Sequence, residues 1–174
     1  METLPNTFII GAPRSGTTSL HNYLGQHPDV FMSRLKEPRY FAYRDEEVEY
    51  QGPADPVTFN QSTVTERDEY VGLFRDAGGE AVVGETSPSY MYRADVAAAN
   101  IQQTVEDPRF SAILRNPVDR AYSDFLNMVR LGREPILEFE TALDREDKRK
   151  EKNWSPFYYY AEKGMYARQL ERYY

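Results

Sequence analysis

Residues 8–20, Phe8-Ile9-Ile10-Gly11-Ala12-Pro13-Arg14-Ser15-Gly16-Thr17-Thr18-Ser19-Leu20, constrain the fold more than any other stretch of the chain. A continuous apolar run that stops at a glycine predicts a buried parallel strand over Thr7–Ile10. Thr17–Gln26, with Leu20, Tyr23 and Leu24 on one face, predicts a helix. A strand, a glycine-bounded turn and a helix start together form an anion cradle, because turn N–H groups and the positive end of the helix dipole face the same point. The nucleotide-triphosphate version reads G-x-x-x-x-G-K-[ST]. Here the spacing from Gly11 to Gly16 holds, but Thr17 takes the lysine slot and the cation moves back to Arg14. The donors at Gly16, Thr17 and Thr18 remain while the γ-phosphate lysine is gone. That pattern points away from ATP or GTP hydrolysis and towards a different phosphorylated donor. Its plainer alternative is a tight βα turn with an incidental arginine.

Further strands are predicted at Val30–Met32, Ala81–Gly84 and Phe110–Leu114, with helices at Ala94–Val105 and from Pro117 to about Leu131, where Gly132 ends the pattern. Thr65 and Asp68 read as a capping box ahead of a helix carrying Tyr70, Val71, Leu73 and Phe74. Ile136–Leu143 reads as a shorter helix, and Met165–Tyr174 as an amphipathic one. Residues 45–62, with Gly52, Pro53 and Pro56, read as a surface loop, and the charge run Asp144–Lys152 as a solvated helix end or loop. Strands alternating with helices predict an α/β fold: a mainly parallel central sheet flanked by helices in a three-layer, P-loop-type arrangement. Ligands of such sheets sit at the carboxyl ends of the strands. The charged motifs after the first, third and fourth strands are therefore expected to converge.

The second anion-binding candidate is Arg115 with Ser123. Arg115 ends a strand and Ser123 lies about two turns into the next helix. A guanidinium and a hydroxyl suit a phosphate dianion; the plainer alternative pairs Arg115 with Asp119. Glu37 and Glu85 are acids in loops near strand ends, and each is expected to need a cationic neighbour or a proton-transfer role. For Glu37 the cations on offer are Arg34, Lys36 and Arg39. A glutamate can also serve as base towards an acceptor hydroxyl. His21 and His27 lack partners at ligand spacing, so no metal site is expected.

Together these segments resemble the sulfotransferases that use 3′-phosphoadenosine 5′-phosphosulfate (PAPS), in particular the carbohydrate branch and its bacterial relatives. Gly11–Leu20 resembles the family's 5′-phosphosulfate loop. Ile113-Leu-Arg-Asn-Pro-Val-Asp-Arg-Ala-Tyr-Ser-Asp-Phe125 resembles its 3′-phosphate motif. His27–Val30, Lys36–Phe41, Glu85–Tyr90 and Gly164–Leu170 resemble its matching segments. The resemblance covers nearly the whole chain. It implies sulfuryl transfer from PAPS to a hydroxyl or amine of a small-molecule or carbohydrate acceptor, releasing adenosine 3′,5′-bisphosphate (PAP), with no metal. It implies donor binding by Pro13, Arg14, Ser15, Gly16, Thr17, Thr18, Ser19, Arg115 and Ser123, with Arg14 and Glu37 as catalytic residues. Arg14 stands where lysine is commoner, keeping the charge without the proton. Thr86 stands where several carbohydrate members have lysine. The resemblance also implies a single domain over 1–174 that lacks the family's C-terminal strand and basic loop. A non-catalytic PAP- or PAPS-binding fragment and a P-loop kinase are the alternative readings.

Composition bounds the rest. A net charge of −7 disfavours nucleic acid as a partner, so local cations must hold any anionic ligand. Aromatic residues make up 14% of the chain, which suits either a cleft for a planar ligand or an aromatic core. Without cysteine there are no disulfides or thiolate metal sites. No apolar run is long enough to span a bilayer and no leader pattern opens the chain, so a cytoplasmic setting without membrane contact is expected. The oligomeric state is left open.

Overall fold

The computed structural model describes residues 2–174. β1 (Thr7–Gly11) leads through the glycine turn into α1 (Thr17–Leu24), and β2 (Val30–Met32) follows. The next segment holds three short helices, α2 (Tyr40–Tyr43), α3 (Phe59–Ser62) and α4 (Arg67–Gly72). β3 (Val82–Thr86) then runs into α5 (Ser89–Tyr92) and α6 (Ala94–Thr104). β4 (Arg109–Ala112) feeds α7 (Pro117–Arg130), and α8 (Phe139–Asp144), α9 (Glu146–Glu151) and α10 (Tyr166–Leu170) complete the order. The four strands make one sheet in the order β2-β3-β1-β4 with every pairing parallel.

β1 is central, which explains its unbroken apolar run: Phe8 and Ile9 are both fully buried, one towards each face. Phe8 and Ile10 join the larger core with Phe41, Tyr70, Phe74, Tyr90 and Ile101. Phe8 meets Phe41 edge to face at 5.8 Å, and Tyr40 stacks on Tyr70 at 4.2 Å. Burying one such ring is worth about 1.5–3 kcal/mol. Much of the tyrosine content thus goes into this core. On the opposite face, Ile9 is in register with Thr86, and His21 of α1 reaches Thr86 Oγ1 at 2.9 Å. A second apolar cluster packs α7, through Ala121, Phe125 and Met128, against Ala142 of α8 and Tyr158–Tyr160.

Four local readings change. The helix after Thr65 starts at Arg67 with Glu66 as its cap, and no side chain caps it. The Thr65–Asp68 capping box is therefore not formed; the Thr65 carbonyl instead accepts from the Asp45 N–H. Residues 45–62 are no simple surface loop, because Asp55 and Phe59 are buried. Asp55 accepts from Gly52 N at 3.0 Å, Ser155 N at 2.8 Å and Ser155 Oγ at 2.7 Å, tying this segment to the far end of the chain. The run 144–152 forms α9 with Glu146 and Arg149 turned inward. Arg149 pairs with the buried Glu134 at 2.7 Å, and Glu146 accepts from the N–H groups of Ala161 and Glu162. Met165–Tyr174 divides into α10 and a terminal 3-10 turn at Glu171–Tyr173.

Candidate active site

The turn after β1 works through two glycines. Gly16 sits at φ +98°, a backbone region that side chains disfavour, and from there the chain enters α1. A Cβ on Gly11 would lie 2.9 Å from Met91 Cβ, so only glycine lets β1 pass α5 at this point. The turn is anchored by Ala12 N donating to the Ile113 carbonyl and Ile113 N to the Gly11 carbonyl, each at 2.8 Å. The first N–H groups of α1 have no acceptor within the helix, and no acidic residue sits in its first turn. Arg14 is exposed.

The second arm follows β4. Asn116 caps α7, accepting from Val118 N at 3.0 Å and Asp119 N at 3.3 Å, and Pro117 opens the helix. Arg115 does not pair with Asp119. Its Nη1 donates to the Arg14 carbonyl at 3.3 Å, linking the two arms. Ser123 lies on the α7 face turned to the cleft, while Arg120 is wholly buried on another face. Arg120 and Lys163 share the Asp124 carboxylate at 3.2 and 2.5 Å. Burial and the nearby Arg120 pull the Lys163 ammonium below its usual value despite Asp124.

The third arm is the loop 36–39. Glu37 pairs with Lys36 at 2.7 Å and with Arg39 at 3.2 Å, whereas Arg34 turns away to Asp76. Burial works to raise the Glu37 carboxyl, but Arg39 and Lys36 outweigh it and hold the group below its usual value. The Arg39 guanidinium also donates to Ser62 Oγ at 2.9 Å and lies over the Phe59 ring at 4.7 Å.

All three arms open into one cavity of about 480 Å³. Its lining includes Pro13, Arg14, Gly16, Thr17 and Thr18 from the first arm, Arg115 and Ser123 from the second, and Lys36 and Glu37 from the third. The motifs after β1 and β4 therefore converge as expected, but the third arm follows β2; of the segment after β3 only Pro88 and Ser89 reach the cavity, and Glu85 does not. An adjoining hollow of about 410 Å³ shares Arg14, Arg115 and Ser123 with it. Ser15 and Ser19 belong to the same turn and helix start but not to the cavity lining: Ser15 Oγ donates to the Pro13 carbonyl at 3.4 Å, and Ser19 is exposed on α1.

Glu85 departs from expectation. It is fully buried, has no cationic partner among the described residues and does not line the cavity. Three hydroxyls donate to it instead: Tyr90 at 2.6 Å, Tyr70 at 2.7 Å and Ser87 at 3.0 Å. Burial raises its carboxyl to about 7, against the pull of those three bonds. Thr86 is also fully buried, bonded to His21 rather than facing the cleft. His21 itself is held low by burial and by Lys36, against a bond to the Ser33 backbone.

The sequence reading missed Phe59, Asn127, Arg133, Phe157 and Lys163 as lining residues, whereas Arg39 was named there as a cation for Glu37. Asn127 was within reach, since it sits one helical turn after Ser123 on the same face. The others come from segments that meet only through tertiary packing.

Residues 5–164 match the family model described as the sulfotransferase family. The chain belongs to that family. Its sequence is 28% identical over 140 residues to membrane-associated sulfotransferase kil1 of Dictyostelium discoideum, covering 78% of this chain and 26% of that protein. It is 27% identical to heparan sulfate glucosamine 3-O-sulfotransferase 3B1 of Mus musculus, covering 97% of this chain and 37% of the relative. The crystal structure of a sulfotransferase from Alicyclobacillus acidocaldarius superposes with a TM-score of 0.91 at 36% identity, covering 98% of this chain and 68% of that one. The sulfotransferase-family chain thus spans roughly a quarter to a third of the length of these curated relatives.

Proposed function

We propose that the protein transfers a sulfuryl group from PAPS to a hydroxyl or amine of a small-molecule or carbohydrate acceptor, releasing PAP. The observation that carries this reading is the joining of three arms in one cavity. Two of them are built for anions, at Arg14 with the α1 N-terminus and at Arg115 with Ser123. The third presents a carboxylate held ionised by Lys36 and Arg39.

On this reading, Gly16, Thr17 and Thr18 hold the 5′-phosphate and Arg115 with Ser123 holds the 3′-phosphate. Arg14 offsets the charge that grows on the bridging oxygen as the S–O bond breaks. The acceptor oxygen forms the new bond to sulfur, and Glu37 takes its proton. Arg14 keeps its own proton throughout, because a guanidinium does not release one near neutrality. The departing electron pair therefore stays on the PAP phosphate, stabilised by charge and N–H donors. The carbohydrate acceptor class is supported by the similarity to the mouse heparan sulfate glucosamine 3-O-sulfotransferase.

Calorimetric titration of PAP, with and without Mg²⁺, into wild type and Arg115→Ala tests the donor site. Metal-independent binding that Arg115→Ala abolishes or strongly weakens is the expected result. Binding that requires Mg²⁺, or that ignores Arg115, overturns the reading.

A further inference from the structure

We infer that the segment Glu85–Tyr90 is a positioning device for Glu37: Glu85 orients the hydroxyls of Ser87 and Tyr90, and those hydroxyls hold the backbone of the loop that carries Glu37. The inference rests on the reading of Glu37 as the acceptor's base.

The loop needs holding. Glu37 and Arg39 both adopt left-handed backbone, at φ +62° and +60°, a region that side-chain-bearing residues occupy only under constraint. The constraint comes from one direction. The alternate amides of residues 37, 39 and 41 all donate to the end of β3 and the residues that follow it: Glu37 N to the Thr86 carbonyl at 2.8 Å, Arg39 N to Ser87 Oγ at 3.1 Å, and Phe41 N to Tyr90 Oη at 3.2 Å. Between them, the Pro38 carbonyl accepts from Val64 N at 2.9 Å.

Two of these three acceptors are hydroxyls, which can turn and present a hydrogen instead of a lone pair. Glu85 decides which they present. Ser87 gives its hydrogen to Oε2 and Tyr90 gives its hydrogen to Oε1, so each faces the loop with lone pairs. Tyr70 from α4 fills the remaining demand on Oε1. A carboxyl group suits this place because its two oxygens accept from all three hydroxyls. This accounts for a fully buried acid with no cation beside it among the described residues and no opening to the cavity.

The consequence for chemistry runs through Arg39. Its backbone is fixed by Ser87, and its guanidinium clamps Glu37 while bonded to Ser62 and packed on Phe59. Loosening the loop therefore misplaces the carboxylate and its clamp together, while the donor arms on β1 and β4 stay where they are. A base misplaced by a fraction of an ångström lowers turnover far more than it lowers donor binding.

Ser87→Ala and Tyr90→Phe each delete one acceptor with little change in volume. Three measurements on each variant decide the matter: hydrogen exchange of the Arg39, Phe41 and β1 amides, calorimetric affinity for PAP, and PAP release from PAPS with a glucosamine oligosaccharide as acceptor. We expect exchange at Arg39 to quicken by roughly tenfold or more in Ser87→Ala, and at Phe41 in Tyr90→Phe, with β1 unchanged. We expect turnover to fall roughly 10- to 100-fold with PAP affinity unaltered. Unchanged exchange at those amides overturns the proposal, as does unchanged turnover in a loosened loop. Equal loss of protection in β1 also overturns it, since that is the mark of a merely structural role. If wild type turns over no acceptor, the functional reading fails separately, and exchange alone still decides whether the segment holds the loop.

Discussion

Glu85→Gln gives a stability difference whose size follows from the structure. The carboxyl is fully buried on β3, in register with Phe8 of β1, with three hydroxyl donors and no cation among the described residues. Burial wins over those donors and raises the group from 4.5 to about 7. The native state therefore binds a proton that the unfolded chain has already lost between those values. The contribution is fully present below pH 4.5 and is lost as the pH rises through about 7. At about 1.4 kcal/mol per pH unit, the whole excursion is worth about 3 kcal/mol. Glutamine does not titrate, so the stability of wild type relative to Glu85→Gln should fall by about that amount between pH about 4 and about 8. The comparison uses urea midpoints for both proteins at each pH. Every other titrating group is common to the pair and cancels, and so does any fixed cost of the substitution. Parallel pH curves would refute the argument. A change of opposite sign would mean that the hydroxyls outweigh burial.

Three further outcomes are expected. Arg115→Ala should weaken PAP binding roughly 10- to 100-fold, the loss of a charged hydrogen bond of about 1.5–3 kcal/mol, while leaving the thermal midpoint nearly unmoved because the side chain is exposed; calorimetry and a thermal scan check both. Glu37→Gln should lower turnover by roughly 10²- to 10⁴-fold with PAP affinity retained, which separates proton transfer from donor binding in a steady-state assay. Asp55→Ala should cost about 2–4 kcal/mol in urea denaturation, because Gly52 N, Ser155 N and Ser155 Oγ lose their shared acceptor in a buried site.

What the sequence revealed was what is contiguous in it. Each anion arm is a strand end, a turn and a helix start, so its chemistry can be read along a dozen residues. The parallel sheet followed from strands separated by helical segments. Short elements escaped because four residues are too few to show a period: Tyr40–Tyr43 and Ser89–Tyr92 look like charged-loop and motif sequence until packed. Glu85 was read through its own neighbours, whereas its environment depends on Tyr70 from another helix. The burial of Asp55 and Phe59 was invisible for the same reason, since Pro- and Gly-rich composition describes local backbone and says nothing of what Ser155 and Phe157 bring from afar.

The bond from Ser155 to Asp55 joins residues 100 positions apart, and it sits behind the wall where Phe59 meets Phe157 at 4.9 Å. Closing so long a loop carries an entropic cost that short-range contacts avoid. The β1–β4 pairing closes as long a loop, from Thr7 to Arg109, but a ladder of backbone bonds holds it, whereas the wall rests on a few side-chain contacts; the wall is thus expected to open before the sheet. The glycine turn and the start of α7, seated on β1 and β4, do not depend on it. On the proposed reading, grip on the donor and choice of acceptor then belong to different cooperative units. Lineages of such proteins could exchange acceptors by substitutions drawn jointly from the two ends of that wall, with the nucleotide cradle inherited unchanged.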